Sequence, residues 1–180
     1  MPPVVPAVGE PVRLMAGYEW HRLGDQHFPD PSCAALASPA VMGVINVYDS
    51  LLAFPEGVKI KALRIIQLLP KSAANHHEPQ IGYGSETNAR RILGTVPVEE
   101  DGSASFRLPP AVPVYFQALD ERGLAVQSMR SATYARGGER LVCAGCHEPK
   151  SQASAKALEQ SAMAFRRAPS EIQPEVEGSN

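Results

Sequence analysis

Ser103-Ala104-Ser105-Phe106-Arg107-Leu108, entered through Glu99-Glu100-Asp101-Gly102 and followed, past Pro109, Pro110 and Pro113, by Val114-Tyr115-Phe116-Gln117-Ala118-Leu119-Asp120, decides the fold class. Ala104, Phe106 and Leu108 alternate with Ser103, Ser105 and Arg107, so a strand here carries its apolar side chains on one face. The Asp101-Gly102 step tolerates positive φ and suits a tight hairpin. Val114, Phe116 and Ala118 then point one way and Tyr115, Gln117 and Leu119 the other, until Asp120-Glu121-Arg122-Gly123 turns the chain again. The local pattern predicts an antiparallel meander. Pro97, Pro109, Pro110 and Pro113 lack a ladder donor and belong at strand ends or sheet edges.

The same texture spreads outward in both directions. Short β-branched and aromatic runs separated by turn residues predict seven strands: 41–48, 59–69, 91–98, 103–108, 113–120, 125–134 and 139–143. Regular turn spacing of this kind marks a mainly β chain, here an antiparallel β-sandwich over residues 41–148. Residues 1–40 are rich in proline and small side chains and read as an irregular lead-in. Between the second and third strands, residues 72–88 make a polar loop of a length uncommon in a compact domain unless it has a binding role or is disordered. In residues 149–180, good helix formers over 151–167 suggest a short helix. The stretch from Ala168 to Asn180 reads as an extended linker.

Composition narrows the class of function. At 180 residues, 44% hydrophobic and 20% charged, the chain has the make-up of one globular domain with a true core. Seventeen Lys and Arg against nineteen Asp and Glu leave a net charge of -2 without a basic block, which argues against nucleic acid as a partner. The most apolar stretch, Ala62 to Leu69, is broken by Arg64 and Gln67 and is too short for a transmembrane segment. Met1-Pro2-Pro3-Val4-Val5-Pro6 lacks the charged and apolar regions of a secretory signal. No Walker loop, dinucleotide fingerprint or serine elbow is present.

Chemistry concentrates in Cys143-Ala144-Gly145-Cys146-His147. Two thiols three positions apart can each form a thioether to a haem vinyl group while the next histidine reaches the iron, and this spacing reads as c-type haem attachment. From the chain's own composition the pattern arises by accident in about one chain in a thousand, so chance is a poor explanation. Two other uses of the residues stay open. One is a zinc site recruiting Cys33 or a distant histidine. The other is a dithiol redox pair.

Further ligands are candidates only. Met129 could supply a thioether as sixth iron ligand, although strand alternation also suits it to the core. Cys33 reads as a small buried thiol or as a zinc ligand. His76 and His77 in the polar loop, and His21 and His27 in the lead-in, read first as solvated side chains. Arg130 and Arg136 have the chemistry to pair with haem propionates. Tyr134 is near enough in sequence to line a haem pocket or be a half-buried aromatic.

Several segments carry a family likeness: Lys59-Ile60-Lys61-Ala62-Leu63-Arg64, Gly94 to Ser103, Val114 to Asp120, Ala125-Val126-Gln127-Ser128-Met129-Arg130-Ser131, and Cys143 to Glu148. Together they resemble the middle domain of the hydrazine synthase alpha subunit and its relatives, over roughly residues 40–178. The resemblance implies a β-rich unit holding one c-type haem, with a β-propeller before it and a further haem-binding region after it. It therefore implies a piece of a longer protein, with export encoded upstream and a periplasmic or other extracytoplasmic location. By the same likeness Cys143 and Cys146 match the haem-attaching pair and His147 the histidine that follows. In the family's namesake a tyrosine four positions later is implicated in holding iron and the histidine turns toward a zinc. Ser151 stands at that position here, which favours His147 as the iron ligand and counts against hydrazine synthesis.

The expectation is therefore a β-sandwich whose last strand leads into a loop bearing covalent haem c, with His147 on the iron. Electron transfer and haem-dependent oxidoreductase chemistry both fit this expectation. The partners expected are a redox protein or the adjoining domains of the full-length protein. The rival is a zinc-stabilised structural or interaction domain without haem.

Overall fold

The computed structural model describes residues 38–71, 75, 77–84, 87–146 and 161–175. Seven strands follow in chain order: β1 Ala40–Asn46, β2 Ala62–Leu68, β3 Arg90–Pro97, β4 Ala104–Leu108, β5 Val114–Leu119, β6 Ala125–Ser128 and β7 Arg140–Gly145. Each coincides with one of the seven expected from apolar alternation. β6 is shorter than expected, and β7 runs two residues further, so that Cys143 lies inside the strand and not at its end.

The strands form two sheets, ordered β4-β1-β7 and β3-β2-β5-β6. The pairings are antiparallel except one: β7 runs parallel to β1, with Val41 opposite Arg140 and Val44 opposite Cys143. β5 and β6 make the expected hairpin, closed where Asp120 Oδ1 accepts the N–H groups of Arg122 and Leu124, each at 2.9 Å. The meander itself is not formed. β4 leaves its neighbours β3 and β5 and joins β1 in the other sheet, Ala40 pairing with Leu108 and Val44 with Ala104. The Asp101-Gly102 step, with Gly102 at φ 82°, is a turn that carries the chain from one sheet to the other. Turn chemistry fixes the local reversal but leaves open which strand receives the next one.

Met42, Val44, Ile65, Val96, Phe106, Leu108 and Val114 fill the space between the sheets. The rings of Phe106 and Phe116 meet edge to face at 5.7 Å across that space. Each fully buried large side chain contributes about 1.5–3 kcal/mol. A bulge lies where Ile65 pairs with Gly94 and Ile66 with Ile92, and Gly94 takes φ 142° there. The loop between β2 and β3 is tied at its base by Leu69 N–H to Ala89 O and by Asn88 Nδ2 to Leu69 O, both 2.9 Å.

Where the sequence reads helix and linker, the described residues 161–175 are docked on the sandwich. Met163–Arg166 is one turn of 3-10 helix. Its Met163 N–H donates to Asp101 Oδ2 at 2.7 Å, and its Ala164 N–H donates to Ser103 Oγ at 2.9 Å. The Phe165 ring covers Gly43 of β1 and lies under the Arg140 guanidinium. Ser170 then exchanges backbone hydrogen bonds with Ser105 and Arg107 of β4, and Gln173 with Thr95 of β3. Three residues of extended chain span about 10 Å, the separation of two packed sheets. The segment therefore laces the β4 edge to the β3 edge. β7 and β6 are left as the outer strands on the opposite side.

Candidate functional site

The candidate site lies at that opposite side. Leu141 and Cys143 alternate with Val142 along β7 and pack against the core, while Cys146 follows just past the strand end. Both cysteines are half-buried thiols, not joined in a disulfide. Burial pushes the Cys146 thiol up, and neighbouring Cys143 adds to the shift.

Gly145 sets where the motif leaves the sheet. It pairs with Asn46 at the end of β1, and its missing side chain leaves room for the backbone of Asp49, whose oxygen would stand 2.0 Å from a Cβ. Asp49 belongs to a tight turn in which its N–H donates to Asn46 O at 3.1 Å and Tyr48 N–H donates to Asn46 Oδ1 at 2.9 Å. Gly102 closes the other side of that turn, Val47 N–H donating to Gly102 O at 2.8 Å. Tyr48 Oη accepts the Ile60 N–H at 2.8 Å. Ser50 Oγ accepts from Gln127 Nε2 of β6 at 3.0 Å and from Leu52 N–H at 3.2 Å. The turn after β1 thus touches both the motif and β6.

Met129, two residues beyond Gln127, is half-buried, and its N–H donates to Phe116 O at 2.9 Å. Arg130 and Arg136 are exposed, as is Tyr134, and His77 stands exposed in the polar loop. His147, Cys33, His21, His27, His76 and Ser151 lie outside the described residues. Among the described residues no group of three His, Cys, Asp or Glu could hold a metal ion, and no helix is long and apolar enough to cross a membrane. Sequence reasoning missed the turn at Asp49 and Ser50. Its one visible signal is Gln127, an amide that follows Ala125 and Val126 in a half-buried strand.

The residues present fit a covalently tethered haem in their donor chemistry. Two half-buried thiols stand at the end of an outer strand, three positions apart, and neither is consumed in a disulfide. Fold and motif define the class: a two-sheet β domain whose final strand runs into a C-x-x-C-H sequence. The chain matches the family model of the hydrazine synthase alpha subunit middle domain over residues 58–148, about half its length, and belongs to that family. It is 33% identical over 102 residues to hydrazine synthase subunit alpha of Kuenenia stuttgartiensis, a match covering 49% of this chain and 13% of that protein. A solved structure, Kuenenia stuttgartiensis hydrazine synthase, superposes with a TM-score of 0.50 at 27% identity, covering 67% of this chain and 20% of the other. The chain thus spans only a small part of the relatives it matches.

Proposed function

We propose that this chain is a c-type haem domain of a larger extracytoplasmic redox protein, with Cys143 and Cys146 holding the haem and His147 its iron. The observation that carries the reading is the pair of half-buried, undisulfided thiols at the end of β7, within the region matched to the family. Each thiol adds across one vinyl double bond, its sulfur bonding one carbon and its proton going to the other, with no external oxidant or reductant needed. His147, next to Cys146 in sequence, has an imidazole to offer the iron. Bound haem supplies a one-electron couple. Cys143 anchors one tether on the rigid sandwich, since its strand is paired to the central β1 and its side chain packs on the core. Met129 is the candidate sixth ligand.

Absorption spectra of the pyridine haemochrome distinguish two thioethers from one. Material exported and matured in cells with a haem-attachment system is expected to give the two-thioether spectrum. The single variants Cys143→Ser and Cys146→Ser are expected to give the shifted spectrum of one remaining vinyl group. Zinc bound without iron in the same material would instead select the structural reading.

A further inference from the structure

We infer that the turn after β1, through Leu51 and Leu52, is a wall of the haem site and covers one part of the porphyrin face. The inference rests on the haem reading above. It deepens that reading by naming a surface that lies before residue 58, outside the region matched to the family.

The turn is built to stay in place. Asp49 is packed against Gly145, Tyr48 Oη holds Ile60, and Ser50 is held by Gln127. The Tyr48 ring meets Phe54 edge on at 5.6 Å, and Phe54 packs on the core. Loops fixed this firmly ordinarily turn polar side chains outward. This one exposes two adjacent leucines, Leu51 at 69% and Leu52 at 47%. Leu51 is two residues from Asp49, so its backbone lies within about 7 Å of the motif's contact point. Two adjoining leucines held beside a tether for a flat apolar ring have an occupant of matching chemistry at hand. A neighbouring protein surface would need a far larger apolar area. Covering the ring with hydrocarbon withdraws the iron from water and favours its less charged, reduced form.

The test compares the matured full chain as wild type, as Leu51→Ser with Leu52→Ser, and as Ile92→Ser. Ile92, about as exposed as Leu52, is an apolar residue on β3, the far edge of the other sheet. Poised at the wild-type midpoint potential, the double variant is expected to show a ratio of reduced to oxidised haem about tenfold lower, and Ile92→Ser no change. The unmatured double variant should melt with the unmatured wild type, so loss of haem attachment in it without loss of fold would support the same wall. Haem-bearing double variant with the wild-type ratio would overturn the wall and leave the haem reading intact. Wild type without haem would remove both.

Discussion

The backbone oxygen of Asp49 stands where a side chain at position 145 would begin: a Cβ built on Gly145 falls 2.0 Å from it. Asp49 follows β1 and Gly145 ends β7, and these two strands run parallel. The contact fixes the direction in which Cys146 leaves the sheet.

Gly145→Ala is expected to push the two backbones apart and to lower stability by about 1–3 kcal/mol, the usual cost of overpacking. Urea unfolding of the unmatured chain measures this. The same variant, matured, should carry less haem than wild type, because one thioether is then aimed from a displaced strand end.

Ser103 is fully buried, donating to Asp101 Oδ1 at 2.6 Å and accepting the Ala164 N–H at 2.9 Å. Ser103→Ala leaves that buried N–H without its acceptor, at a cost of about 1–3 kcal/mol. Amide exchange at Ala164 should quicken before global unfolding, since the 3-10 turn releases first.

Gly94 carries a second anchor of the same segment, at φ 142° and with Gln173 O 2.1 Å from where a Cβ would sit. Gly94→Ala is expected to cost about 1–3 kcal/mol through strain and displaced backbone. Exchange at the Thr95 amide, which donates to Gln173 O at 2.8 Å, reports it directly.

Two carboxylates give stability a definite slope in acid. The Leu124 N–H leads the hydrogen bonds that hold the Asp120 carboxyl below its ordinary value. Burial pushes Asp101 up, but hydrogen bonds from the Ser103 hydroxyl and the Met163 and Ser103 N–H groups outweigh it and leave it lowered. A group with a depressed value in the fold stabilises above its unfolded value and loses that contribution as pH falls through the folded one. Melting temperature is therefore expected to decline from about pH 5 downward. In Asp120→Asn with Asp101→Asn that decline should be shallower. An unchanged slope in the double variant would place the acid sensitivity elsewhere.

Much of this structure is legible in the residues. Ala104-Phe106-Leu108 and Val114-Phe116-Ala118 announce their strands because burial on one face imposes a period of two. The partner of each strand is another matter. Asp101-Gly102 serves a hairpin and a crossing between sheets equally well, and nothing local to Ala104–Leu108 says that β1 lies beside it. Ser103 and Ser105 read as the solvent side of β4, yet both are buried, because the segment from Ser161 to Glu175 lies over them. Up to Arg167 that segment looks like helix and from Ala168 like linker, and only backbone pairing with Ser105, Arg107 and Thr95 reveals its place. The motif at Cys143 is visible from spacing alone. Its seat against Asp49 depends on a contact across almost the whole domain, which no local pattern encodes.

Intact mass of the full chain, exported and matured in cells that attach haem, bears most directly on the thioether claim. A gain of one haem, abolished in Cys143→Ser with Cys146→Ser, is the outcome expected. Colourless protein at the mass of the bare polypeptide would contradict it.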